Sequence, residues 1–190
     1  LLNVKYIIAP QEMGPNPAFT SKKTGWYVYE NVNSLPRAFF VDSITVAEPL
    51  TILKNMKDGN FNPMNMAYLE KAIDTKIDPP TNGAKIDFIE RKDERIKIKV
   101  VATGTNLLFL SEIYFPMWKA TIDGKASEIL KTNYAFRSLI VPEGEHTIEL
   151  KLETPGFNLG KNLSIIANIL LALLLVGGIF LYWKENKSNK

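Results

Sequence analysis

Near the carboxyl end, Ile165 to Trp183 runs without a single charged residue and then stops at Lys184-Glu185-Asn186-Lys187. At ~1.5 Å per residue this stretch reaches roughly 28 Å as a helix, close to the hydrocarbon thickness of a bilayer, about 30 Å. Twelve of its residues are Leu, Ile, Val or Phe, enough to outweigh Asn168 and two glycines on an insertion scale. Nothing earlier in the chain is large enough to surround an all-apolar helix, so a transmembrane helix over 165–183 is expected rather than a buried one. Lys184, Lys187 and Lys190 crowd its C-terminal side, whereas the near N-terminal side offers only Lys161. By the positive-inside tendency the tail 184–190 is then cytoplasmic and the residues before Asn162 face outward. Tyr182 and Trp183 suit the cytoplasmic interface.

Leu1-Leu2-Asn3 has no initiator Met, no basic n-region and no cleavage pattern. An outward-facing domain needs a route across the membrane, so the chain is expected to be the C-terminal piece of a longer membrane protein. Net charge is +3 with both signs interspersed, which gives no pointer to nucleic acid. The absence of Cys excludes disulfides, thiol nucleophiles and thiolate metal sites.

Period-two patterning dominates the middle of the chain. Arg95 to Val100 and Thr147 to Glu153 alternate strictly, and Lys85 to Glu90 is a third such strand. Asn106 to Leu110 is nearly apolar throughout and reads as a central strand. Asp93-Glu94 is expected to turn, and Asp123-Gly124 is a strong hairpin signal that folds Ala120–Ile122 back on Lys125–Ile129. Pro142-Glu143-Gly144 leads Arg137–Val141 into the last strand. Turns about every ten residues suit an antiparallel β-sandwich, jelly-roll or immunoglobulin-like. The first third is less regular. Val4–Ile8, Trp26–Tyr29 and Ala38–Val46 read as strands, Pro10–Lys23 as a loop, and Pro49–Lys57 as a short helix with Pro49 at its first position and Leu50, Leu53 and Met56 on one face. The expected organisation is mainly β: a small α/β N-terminal lobe over 1–83, the sandwich over 84–156, a juxtamembrane linker over 157–164, then the span and the tail. Asp78 to Gly83 would join lobe and sandwich.

Signals for chemistry are sparse. The single His146 follows a turn and is more simply a surface or turn-stabilising residue than a catalytic one. Glu112 and Asp123 flank an aromatic run, but Asp123 already has a role in the hairpin, and nothing indicates the convergence that glycoside hydrolysis needs. There is no phosphate loop and no zinc helix motif, so neither cofactor nor metal is expected. Asn162-Leu163-Ser164 fits a glycosylation triplet, yet it abuts the span. Glu112-Ile113-Tyr114-Phe115-Pro116-Met117-Trp118 places three rings within five residues before a hairpin. Such rings can stack on sugars, and they can equally plug the end of a sandwich.

At these residues the chain resembles a known family. Ser111 to Ala120, followed by Ile122-Asp123-Gly124-Lys125, is similar to the signature of the YfhO family of bacterial membrane proteins. Asn133, Ala135-Phe136-Arg137, Val141 to His146, Pro155, Gly160 and Ser164 continue the pattern in order. Asn3 to Ile8, Tyr29-Glu30-Asn31 and Leu35 to Val41 also resemble the family. Met117 departs from it, standing where the family usually has Gly and a tight bend. The resemblance implies a multi-span parent similar to C-type glycosyltransferases of the cell envelope, which use a polyprenyl-phosphate sugar. The catalytic acid of that architecture lies in an early outer loop, so the resemblance carries no catalytic residue onto this chain. It implies an extracytoplasmic domain on a bacterial inner membrane, in contact with the bilayer, with an upstream bundle of the same protein and with envelope glycan or lipid-linked sugar. Two roles compete. In one, Trp118, Tyr114, Arg137 and Glu112 form a glycan- or acceptor-binding groove, with Arg137 steering a phosphate. In the other, the domain is purely structural. Asp123, Gly124 and Gly144 are expected to hold turns.

Overall fold

The structure is a computed structural model and describes residues 1–13, 19–20, 25–59 and 61–188. It divides into two compact units, Leu1–Leu152 and Glu153–Lys190. The first is mainly β. Its elements are β1 (Tyr6–Ala9), β2 (Phe19–Thr20), β3 (Tyr27–Glu30), β4 (Ala38–Val41), β5 (Ser43–Val46), α1 (Pro49–Lys57), β6 (Met66–Leu69), β7 (Lys85–Arg91), β8 (Arg95–Ala102), β9 (Asn106–Ile113), β10 (Trp118–Ile122), β11 (Lys125–Ser127), β12 (Leu130–Thr132), β13 (Phe136–Val141) and β14 (Gly144–Leu152). The second unit is one helix, α2 (Pro155–Ser188).

Three sheets form, ordered β1-β3-β2, β11-β10-β14-β8-β7 and β4-β9-β13-β12-β6-β5. The five-stranded sheet is antiparallel throughout; β8 alternates as its sequence requires, whereas β7 is interrupted by a register shift between Phe88 and Glu90 that leaves Ile89 exposed. In β8, Ile96, Ile98, Val100 and Ala102 are buried while Arg95, Lys97 and Lys99 are not. The six-stranded sheet is antiparallel except for β5 and β6, which are parallel and connected through α1. Its two edge strands, β4 and β5, are separated in sequence by Asp42 alone. A one-residue link can join opposite edges only if the sheet curls back on itself, so the edges are brought together much as in a barrel.

That curl explains why β4 and β9 are apolar without alternation. Ala38, Phe40, Leu108, Leu110, Leu139 and Val141 face the five-stranded sheet and share its core with Ile96, Ile98, Val100, Ile148 and Leu150. The intervening Phe39, Val41, Leu107, Phe109 and Phe136 face the inside of the curl. There Phe109 lies 4.9 Å from Phe39 and 5.4 Å from Phe136, ring centroid to centroid. A strand buried on both faces needs apolar residues at every position.

The structure alters several expectations. The strand over Ala38–Val46 breaks at Asp42 to close the curl. Lys125–Ile129 is not one strand either: β11 belongs to the five-stranded sheet and β12 to the six-stranded one, so Glu128 and Ile129 carry the chain between sheets. There is no lobe boundary at residue 83, because β4, β5 and β6 are strands of the sheet that contains β9, β12 and β13. Asp78, expected in a linker, is stitched in place. Its backbone N–H donates to the Thr105 carbonyl at 2.8 Å, and its carboxylate accepts from the Thr105 N–H at 3.0 Å. The Pro10–Lys23 loop lies partly outside the described residues; Phe19–Thr20 within it pairs with β3. Helix α1 has the expected limits, but Ile52 is the side chain it buries, while Leu50 and Leu53 are exposed.

Residues 157–164, expected as a linker, belong to α2. Among the described residues, Leu159–Ile179 is long and apolar enough to cross a membrane. Asn168 is accommodated there by donating its amide N–H to the Ser164 carbonyl one turn back, at 2.8 Å, which supplies a partner where water would be absent.

Candidate functional site

Strand parity divides the aromatic run. Glu112 shares the face of Leu108 and Leu110 on β9, so it points between the sheets. Arg137 shares the face of Leu139 and Val141 on β13, beyond a register shift between Phe136 and Arg137, and is directed to the same place. Trp118, opening β10, meets them from the five-stranded sheet. The Arg137 guanidinium carbon lies 4.3 Å from the Trp118 ring centroid. Arg137 Nη2 is 3.8 Å from Glu112 Oε2, and Arg37 Nη1 donates to Glu112 Oε1 at 2.6 Å.

Arg137 is 1% exposed. Burial pushes its pKa down from the usual arginine range, and the Glu112 carboxylate pushes it back up. Its Nε and Nη1 have no hydrogen-bond partner, so Trp118 and Glu112 are its main compensation. This placement overturns the expectation that Arg137 steers a phosphate from a surface groove: the side chain is enclosed and already paired. Arg37, which completes the ion cluster, lies in the Leu35–Val41 stretch that resembles the family, but nothing in the sequence assigns it to Glu112.

Tyr114 goes elsewhere. It lines a groove of about 610 Å³ that includes neither Trp118 nor Arg137. The groove opens where the chain crosses from β11 to β12, beside the segment after β6. Asp74, Thr75, Ser127 and Glu128 line it with Tyr114, and none of their side chains has a hydrogen-bond or ion-pair partner among the described residues. Lys131 and Glu70, also on its wall, pair at 2.7 Å. The groove thus sets a half-buried ring among hydroxyl and carboxylate groups whose hydrogen-bonding capacity is unused.

The Asp123-Gly124 hairpin forms as expected, with φ of 50° and 79°, and Gly144 has φ of 121°. Asp123 Oδ1 accepts the Thr147 N–H at 2.8 Å, while Oδ2 is 2.6 Å from His146 Nδ1. These hydrogen bonds hold the Asp123 carboxyl below its usual range, and the Asp123 contact raises the His146 pKa. His146 is thus a turn-stabilising residue. Glu112 and Asp123 each have their own partners, near opposite ends of β10. No group of three His, Asp or Glu residues placed to hold a metal occurs among the described residues.

The turn before β10 is closed by the Trp118 N–H donating to the Phe115 carbonyl at 3.1 Å, with Pro116 and Met117 at its centre. Met117 does not have positive φ, so this bend does not require glycine.

The model of the family "Bacterial membrane protein YfhO" matches residues 54–164, more than half of the chain. The chain belongs to the YfhO family. The match runs from within α1 over β6 to β14 into the start of α2, and so covers the whole five-stranded sheet and the six-stranded sheet without β4 and β5. The chain is also 25% identical over 162 residues to the "Uncharacterized protein YfhO" of Bacillus subtilis (strain 168), covering 83% of this chain and 19% of that relative. The chain therefore spans about a fifth of the length of that YfhO protein. No solved structure matches.

Proposed function

We propose that this chain is the extracytoplasmic C-terminal domain and last span of a multi-pass YfhO-family glycosyltransferase of the bacterial cell envelope, and that the domain engages the glycan or acceptor. The donor would be a polyprenyl-phosphate sugar, and the catalytic acid would be supplied by the rest of the parent protein. The C-terminus would lie in the cytoplasm, as the lysines after the span favour. The observation that carries the reading is the Tyr114 groove, where a ring and several polar side chains without partners border one cavity. In this reading the glycan contact is made by Tyr114, Asp74 and Ser127 rather than by Trp118 and Arg137. The test is sugar transfer to the envelope polymer by full-length protein carrying Tyr114→Ala with Asp74→Ala. Reduced transfer at an unchanged melting temperature is expected; undiminished transfer sinks the reading.

A structural role has its own support. Arg137, Trp118 and Glu112 are committed to one another, as a packed sandwich end requires. In that reading the groove is incidental, and only variants of the enclosed cluster change the protein's behaviour.

A further inference from the structure

The turn at the start of β10 presents apolar side chains that nothing in its own unit covers. Ile113 is 58% exposed, Phe115 49% and Met117 39%, with Pro116 exposed between them. Tyr134, also exposed, is held beside them because the Tyr114 N–H donates to the Ala135 carbonyl at 2.8 Å. Immediately behind this tip, Lys119 lies directly opposite Lys151 in register. Both are exposed, and neither has an ion-pair partner among the described residues. Like charges facing each other across two strands destabilise a sheet unless something else takes them up. Glu94 and Glu153 flank the same end without pairing to either lysine.

We propose that this tip is a lipid-docking surface. Phe115, Pro116 and Met117 enter the headgroup boundary of the bilayer, and Lys119 and Lys151 reach lipid phosphates. The occupant follows from the chain itself. Leu152 is the register partner of Trp118 and lies seven residues before Leu159, where the apolar span starts. Seven residues extend at most about 25 Å, a covalent limit on how far the strand end beneath the tip can stray from the first residue of the span. Aromatic and apolar side chains backed by lysine stems are the composition of an interfacial contact. The proposal stands whether or not the groove accepts a sugar.

The chain contains no Cys, so single labelled cysteines report on it cleanly. The whole chain is reconstituted in phosphatidylcholine–phosphatidylglycerol vesicles with a fluorescent label at Met117→Cys, at Lys125→Cys in the far hairpin, or at Ile169→Cys as the marker of insertion. Lipids brominated near the headgroup, and iodide in the water, are the quenchers. The label at 117 is expected to be quenched by brominated lipid several-fold more than that at 125, and by iodide several-fold less. Equal lipid quenching at 117 and 125 overturns the proposal. So does a label at 117 shielded from both quenchers, which would mean that protein, not lipid, covers the tip.

Discussion

The two turns that bracket β10 solve opposite problems. At Asp123-Gly124 the turn is held from within: both residues take the left-handed backbone, and the aspartate accepts from Thr147 and pairs with His146. At Phe115-Pro116-Met117 a single backbone hydrogen bond closes the turn, and its side chains are left outside. Yet the polar turn stands on little, whereas the apolar one begins the strand whose Trp118 covers the buried Arg137. Five residues apart, one turn is stabilised by its own chemistry and the other by what packs behind it.

The largest effect should come from removing that packing. Trp118→Ala takes the ring off Arg137 at the rim of the main core; because Trp118 is only partly buried, the cost should be about 3 kcal/mol, the low end for a core aromatic, in a denaturant titration of the chain in detergent. A loss below ~1 kcal/mol, near the level of a surface change, would mean that the ring is not part of the packing. Glu112→Ala comes next. It leaves Arg137 enclosed without its carboxylate, and because Glu112 is partly exposed the cost should be about 2–3 kcal/mol, below the full figure for a buried pair. If Glu112→Ala were neutral, the buried charge would have to be compensated elsewhere.

At the polar turn, Gly124→Ala should cost about 1 kcal/mol through its positive φ, since a Cβ there meets nothing within 4 Å. The smallest expected effect is a pH dependence. The His146 pKa is raised in the folded state, so its stabilisation is complete below its ordinary value of 6.5 and is lost as pH rises through the higher folded value. The Asp123 pKa is lowered, so its stabilisation is present above its ordinary value of 3.8 and is lost as pH falls through the lower folded value. His146→Gln should abolish the decline in stability above pH 6.5 and leave the acid limb. Denaturant midpoints across pH read both limbs, and an unchanged alkaline limb in His146→Gln would break the assignment.

What could be read from the sequence follows the range of the interactions involved. The alternating strands, the hairpin at Asp123-Gly124 and the limits of α1 depend on residues close in the chain, and they appear where expected. The membership of β4 to β6 in the large sheet depends on distant partners, such as Phe109 seventy residues beyond Phe39, and no local pattern encodes it. Arg137 was partly legible. In Phe136-Arg137-Ser138-Leu139-Ile140-Val141 the inward parity of Leu139 and Val141 already puts the arginine inside, but a charge invites a surface reading. The separation of Tyr114 from Trp118 was not legible, because the groove exists only where β11 hands over to β12 against the segment after β6.

The one-residue link at Asp42 has a consequence for how the chain is made. Strand β4 leaves the ribosome long before β9, its pairing partner, has been synthesised, and β5 can pair with β6 first through a short local crossover. The early apolar strand Ala38–Val41 must wait unpaired, with no cross-link to shelter it. Closure should therefore be the slow step of folding, as in other topologies of high contact order, and nascent chains halted before residue 106 should be the ones that chaperones retain.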